Sequence, residues 1–160
     1  MTTELELHRI HSPEDQSLPN ILALSNFIFS ADATTKHGSL IYWQSHLTHP
    51  SSFIVYLTPP SSPDKPVAFV FLIPRTNSPP LKNGASDSLH IWLAGVLPDC
   101  RKGGCLTRLM QELGGAADTL TVCTYPTRFP NMWQWLVSRG WVQECEFDDG
   151  KILLSRSRVG

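Results

Sequence analysis

Residues 88–113 constrain this chain more than any other stretch: Ser-Leu-His-Ile-Trp-Leu-Ala-Gly-Val-Leu-Pro-Asp-Cys-Arg-Lys-Gly-Gly-Cys-Leu-Thr-Arg-Leu-Met-Gln-Glu-Leu. An apolar run, residues 91–97, meets Pro98, and a short basic turn with paired glycines then opens an amphipathic helix. First-turn N–H groups of a helix have no intrahelical partners, and the helix dipole favours negative charge there. With Arg101 and Lys102 alongside, such a turn is suited to phosphate. The spacing predicts a phosphorylated cofactor held between a strand and a helix.

Composition narrows the class. At 160 residues the chain reads as one domain, residues 1–160, with room for a real core. Its 41% hydrophobic and 17% charged content is that of a lightly charged globular protein. A net charge of −1 argues against a nucleic-acid partner, whose footprint is basic. The four cysteines, Cys100, Cys105, Cys123 and Cys145, form no CxxC pair, and the histidines complete no zinc spacing. Free thiols in a reducing compartment and no metal are the expectation. The N-terminus lacks the basic start and apolar core of a signal peptide, and no apolar stretch reaches the ~18–20 residues that span a bilayer. A soluble, cytoplasmic protein without membrane contact is therefore expected.

Along the chain, residues 4–10 alternate as a first strand does, and residues 12–15 open a turn or helix. Ile21, Leu24 and Ile28 recur at helical spacing, and a second short helix covers residues 39–47, ended by His49-Pro50. Strand-like runs follow at 53–57, 67–73 and 89–97, separated by loops rich in Pro, Ser and Asn. The loop of residues 74–88 is long for a hairpin, which suggests a mobile segment or one that covers a site. Leu106, Leu109, Met110, Leu113 and Ala117 define one face of a helix. Residues 120–125 form a strand. Phe129, Met132, Trp133, Leu136 and Val137 make a late helical stripe, stopped at Gly140. A hairpin closes the chain around Asp148-Asp149-Gly150. The order implies an α/β (α+β) fold: a mixed, mostly antiparallel sheet with flanking helices, in which a crossover makes the strands ending at Leu97 and starting at Leu120 parallel.

This order resembles the GNAT superfamily of acyl-coenzyme A-dependent N-acyltransferases. The fingerprint of that family is a strand ending in Val-x-Pro, then Arg/Gln-x-x-Gly-x-Gly/Ala opening a helix. Here Val96-Leu97-Pro98 precedes Arg101-Lys102-Gly103-Gly104-Cys105-Leu106, and Gly140-Trp141 stands where the family commonly has Gly-Phe. Leu106 departs from the usual Gly or Ala. A Rossmann G-x-G-x-x-G and a Walker A Gly-Lys-Ser/Thr are both absent.

The resemblance implies acetyl-CoA as cosubstrate. Its pyrophosphate would lie on the N–H groups of Lys102, Gly103, Gly104, Cys105, Leu106 and Thr107, with Arg101 a phosphate contact or a structural residue. The fourth and fifth strands of the family splay to admit pantetheine, so Gly95 and Val96 become candidates for holding it. The alternative reading of Gly95 is relief of crowding. No carboxylate occupies the fourth strand; His90 is its titratable side chain, a candidate base or a solvent-facing histidine. Leu136 replaces the family's usual tyrosine, leaving Tyr125 as candidate acid or as a loop residue packed on Pro126. Asn131 is a cofactor contact or a helix cap. The acceptor implied is a primary amine of a small molecule, in a pocket built from the first two helices and the loop after Ile73, with direct transfer in a ternary complex. Alternatives are a protein N-terminus or lysine as acceptor, or a coenzyme-binding protein without turnover. Domains of this kind commonly pair, which makes a homodimer one option, although the sequence does not fix the oligomeric state.

Overall fold

The computed structural model describes residues 4–29 and 39–157. Seven strands hydrogen-bond in the order β1-β2-β3-β4-β5-β7-β6. They are β1 (Glu6–Ile10), β2 (Phe53–Thr58), β3 (Ala68–Thr76), β4 (Asp87–Val96), β5 (Thr119–Thr124), β6 (Val142–Glu146) and β7 (Ile152–Ser157). Among the described residues four α-helices accompany them: α1 (Leu18–Phe29), α2 (Leu40–Leu47), α3 (Cys105–Leu113) and α4 (Pro130–Ser138). β4 and β5 are parallel, whereas β1–β2, β2–β3, β5–β7 and β6–β7 are antiparallel. The mixed sheet expected from the element order is the one found. No helix among the described residues is long and apolar enough to cross a membrane.

The chain forms two compact units, and β4 passes from one to the other at Trp92–Leu93. The first comprises Met1–Ile73 and Leu93–Leu113. Here β2 is buried along its whole length, in register with β1 (His8↔Tyr56) and β3 (Val55↔Val70). The turn before α1 is fixed by Asp15, whose side chain accepts the Ser17 N–H at 2.8 Å, and Leu18, Ile21 and Leu24 then face inward at helical spacing. Ser39 caps α2 by accepting the Tyr42 N–H at 3.4 Å. That helix buries Trp43 against the rings of Phe71 (5.1 Å, edge-on) and Phe69 (6.1 Å). The fully buried aromatic side chains among the described residues, Trp43, Phe69 and Phe71, all belong to this unit.

The second unit comprises Pro74–Trp92 and Gly114–Gly160. Its ladders run β4–β5 (Leu89↔Leu120 to Ile91↔Val122) and β5–β7 (Thr121↔Ser155), with a bulge in β6 between Gln143 and Cys145. Gly140, at φ +83°, ends α4. The Trp141 N–H returns to Leu136 O (3.3 Å) and the Gly140 N–H to Val137 O (3.2 Å), while Leu136 and Trp141 are both buried. This is the paired C-terminal cap that glycine permits, and it accounts physically for Gly140-Trp141. Buried polar groups mark this unit: Asn77, His90, Thr119, Thr121, Thr124 and Ser155.

Several boundaries differ from the sequence reading: β4 begins at Asp87 and not at residue 89, so the fourth strand does carry a carboxylate, exposed at its start. β3 continues through Pro74 to Thr76, because Pro74 lies beyond the last β2 partner, Leu72, and forgoes no bond to that strand. α3 stops at Leu113 before Gly114-Gly115, so Ala117 is not on its face. Val137 is exposed, and only Leu136 of the late stripe is buried within α4. The loop after β3 is tied to its own unit. Lys82 donates its N–H to Glu144 Oε1 and its Nζ to Gln143 O, both at 2.8 Å, and Asn83 Nδ2 reaches Thr119 Oγ1 (3.2 Å) and Ser157 Oγ (2.7 Å).

Candidate active site

In the first unit β4 ends at Val96, and Leu97 closes the strand with its N–H on Val67 O at 2.8 Å. A single 3-10 turn, Pro98–Cys100, leads into the basic loop. Arg101 turns its Nε back to Val96 O (3.3 Å), which joins loop to strand and gives this arginine a structural bond. The Gly103 N–H bonds Cys100 O at 3.2 Å within the loop, so that donor is already engaged. Gly104 has φ +74°, the left-handed region that glycine enters without a steric penalty. Its carbonyl accepts the Arg108 N–H (3.0 Å) and starts α3. The N–H groups of Gly104, Cys105, Leu106 and Thr107 take no backbone acceptor among the described residues. Nothing stands within 4 Å of where a Gly104 Cβ would lie. A row of donors without backbone acceptors, the Cys105 N–H facing its own sulfur, is an arrangement that can hold a pyrophosphate. Lys102 is exposed at the same loop.

Gly95 has a packing reason of its own. A Cβ there would meet Ile28 Cδ1 at 2.8 Å and Phe69 Cε1 at 3.1 Å. Its bare face therefore admits α1, and only its backbone is left for a ligand. Gly95→Val is expected to cost about 1–3 kcal/mol by overpacking, with part recovered when Ile28→Ala is added. Urea unfolding of the two variants checks this, and undiminished stability of Gly95→Val would contradict it. An open apolar hollow of about 310 Å³ lies nearby in the same unit, walled by Asn20, Ala23, Leu24, Phe27, Pro66 and Leu97.

His90, Tyr125 and Asn131 belong to the second unit. His90 is buried, not solvent-facing: its strand position places it opposite Thr121, and Nδ1 lies 2.9 Å from Thr121 Oγ1. Burial, reinforced by the charges of Arg75 and Lys151, lowers its pKa from 6.5 to about 4. Between those values the unfolded chain binds a proton that the folded one refuses. The contribution of His90 to stability is thus expected to be full above pH 6.5 and to fall as pH drops towards 4, by about 3 kcal/mol in all. Denaturant titrations of wild type and His90→Gln at pH 7 and 4.5 test this: the variant should lose less over that interval, and equal losses would count against it.

Tyr125 does not rest on Pro126 alone. Its hydroxyl donates to Asp149 Oδ2 at 2.6 Å, and Arg128 and Lys151 lie over its ring at 5.0 and 5.8 Å. The bond to Asp149 pushes the phenol above its usual range, with desolvation adding to it, and the same bond holds Asp149 low. Asn131 is exposed and caps nothing, because Phe129 is the N-cap of α4 and Pro130 its first residue. All four cysteines are free. Burial raises the thiols of Cys105 and Cys123, which keeps them protonated.

Sequence reasoning missed the polar chain behind His90. Arg75 Nε donates to Asn77 Oδ1 (3.1 Å), Asn77 Nδ2 to Ser88 Oγ (3.1 Å), and Ser88 Oγ lies 2.9 Å from Thr121 Oγ1. The available signal was the period-two placement of Ser88 with His90 and of Thr119 with Thr121.

No family model and no curated protein matches this chain. Solved structures do. It is similar to the aminoglycoside antibiotic 6'-N-acetyltransferase AAC(6')-Ih from Acinetobacter baumannii (16% identity, TM-score 0.68, 90% of this chain and 95% of that one). It is similar to the ribosomal-protein-S18-alanine N-acetyltransferase from Escherichia coli (16%, TM-score 0.66, 98% and 96%). A GNAT-family acetyltransferase from Staphylococcus aureus Mu50 is similar at 10% identity and TM-score 0.68 (96% and 100%). The chain has the fold of the GNAT acetyltransferases.

Proposed function

We propose that residues 1–160 form one N-acetyltransferase domain that moves the acetyl group of acetyl-CoA to a primary amine of a small molecule, directly, in a ternary complex. The observation that carries the reading is the opening of α3, where Gly104 at φ +74° has open space beside it and the N–H groups of Gly104 to Thr107 have no backbone acceptor. Those donors would hold the pyrophosphate. Lys102 adds charge, and the backbone of Gly95 and Val96 would receive the pantetheine as edge strands receive peptides. When bound, the coenzyme supplies an acyl carbon activated as a thioester. His90 and Tyr125 remain the proposed polar side chains of the reaction. The apolar hollow along α1 is the proposed start of the acceptor pocket.

A small acceptor is favoured by the likeness to aminoglycoside acetyltransferases, and a protein N-terminus by the likeness to the S18-alanine enzyme. Release of free coenzyme thiol from acetyl-CoA, followed with polyamines, amino sugars, amino acids and alanine-terminated peptides, separates them. Turnover with small amines supports the first reading and turnover confined to peptides the second. Stabilisation by acetyl-CoA without thiol release would leave a binding protein.

A further inference from the structure

The hydrogen bonds behind His90 have a direction. Arg75 is a pure donor, so Asn77 must turn its oxygen towards it, and this fixes the amide with Nδ2 towards Ser88. Ser88 Oγ accepts from Asn77, which leaves its own O–H to be given to Thr121 Oγ1 at 2.9 Å. Thr121 then gives its O–H to His90 Nδ1, also at 2.9 Å. With a proton on Nδ1, either the Ser88 hydrogen or, if Thr121 Oγ1 accepts from both sides, the hydrogen of the fully buried Thr121 is left without a protein acceptor among the described residues. The order with the lone pair on Nδ1 and the proton on Nε2 is the one that gives both hydroxyl hydrogens a protein acceptor. Nε2 has no protein partner among the described residues and is not among the sealed polar atoms. The charges that act on the ring, Arg75 from β3 and Lys151 from the β6–β7 turn, are both positive and oppose a second proton.

We infer that Arg75, Asn77, Ser88 and Thr121 form a one-way chain that holds His90 as its neutral Nε2–H tautomer, so that His90 serves the proposed reaction as a hydrogen-bond donor and not as its base. The role of His90 rests on the function proposed above; the tautomer does not. Arg75, Asn77, Ser88 and Thr121 are positioning residues, acting through the imidazole.

Long-range proton–nitrogen spectra of the full chain labelled with 15N-histidine, with His90 assigned by its loss in His90→Gln, read the tautomer. The expected result at pH 7 is a proton on Nε2 and none on Nδ1; the opposite pattern overturns the inference. Asn77→Asp keeps the size but replaces the amide donor by an acceptor, which should reverse the chain and move the proton to Nδ1. Thr121→Val, which removes the hydroxyl at Nδ1, should abolish the preference. If neither variant changes the spectrum, the chain does not set the tautomer. For the role, His90→Gln retains a donor near the Nε2 position and should keep kcat/KM within about tenfold, whereas His90→Ala should lose about 100-fold. A kcat/KM profile that follows the His90 titration, with both variants equally impaired, identifies a base and sinks the donor role. Absence of all acetyl transfer by the wild type would sink the proposed reaction while the nitrogen spectra still decide the tautomer.

Discussion

Gly104→Glu is expected to remain folded and to lose acetyl-CoA binding by at least about 100-fold. Two terms act in opposite places. In the free protein the cost is the left-handed backbone at φ +74°, about 1–2 kcal/mol for a residue with a Cβ. No clash adds to it, since the space beside Gly104 is open. In the complex a carboxylate would stand at the mouth of the N–H row of Cys105, Leu106 and Thr107, repel the diphosphate and compete for its donors. Gly104→Asn separates the two terms, because asparagine tolerates the left-handed region and brings no charge. Calorimetric titration with acetyl-CoA, beside thermal unfolding of the free proteins, reads both. Wild-type affinity in Gly104→Glu would remove the proposed cradle. Loss of binding accompanied by unfolding would point to strain instead.

The second large effect is on stability. Trp43→Ala should cost about 3–5 kcal/mol, a large share of the ~5–15 kcal/mol that holds a domain together. Trp43 has no exposed surface, and its indole meets Phe71 edge-on at 5.1 Å and Phe69 at 6.1 Å. Those rings come from β3 and are themselves fully buried, so the surroundings have little freedom to collapse into the void. Trp43→Phe should recover part of the loss. Equilibrium unfolding in urea measures it; a cost under about 1 kcal/mol would mean that α2 does not anchor this core.

The elements that the sequence made legible are those governed by neighbours in the chain. The β4–proline–glycine turn–α3 sequence, the cap at Gly140-Trp141 and the turn at Asp148-Asp149-Gly150 each follow from glycine, proline and local periodicity. What stayed hidden depends on partners far along the chain. His90 is buried because Thr121, thirty-one positions away, meets it across a parallel ladder. Tyr125 is held by Asp149, and the loop after β3 is held by Glu144, Thr119 and Ser157. Strand alternation alone carries no information about which hydroxyl will lie opposite which imidazole. Gly95 illustrates the same limit from the other side: its glycine was visible, but the methyl groups of Ile28 and the ring of Phe69 that exclude a side chain were not.

The uneven filling of the two units has a kinetic consequence. Amides of β2 and β3, which pack with the buried Trp43, Phe69 and Phe71, are expected to exchange with deuterium most slowly, through the largest openings. Around Thr119, Thr121 and Ser155 the interior is held by hydroxyls that water can replace, so openings there need less free energy and recur more often. Exchange followed over time is thus expected to show two clocks, a slow one set by aromatic packing and a faster one set by side-chain hydrogen bonds.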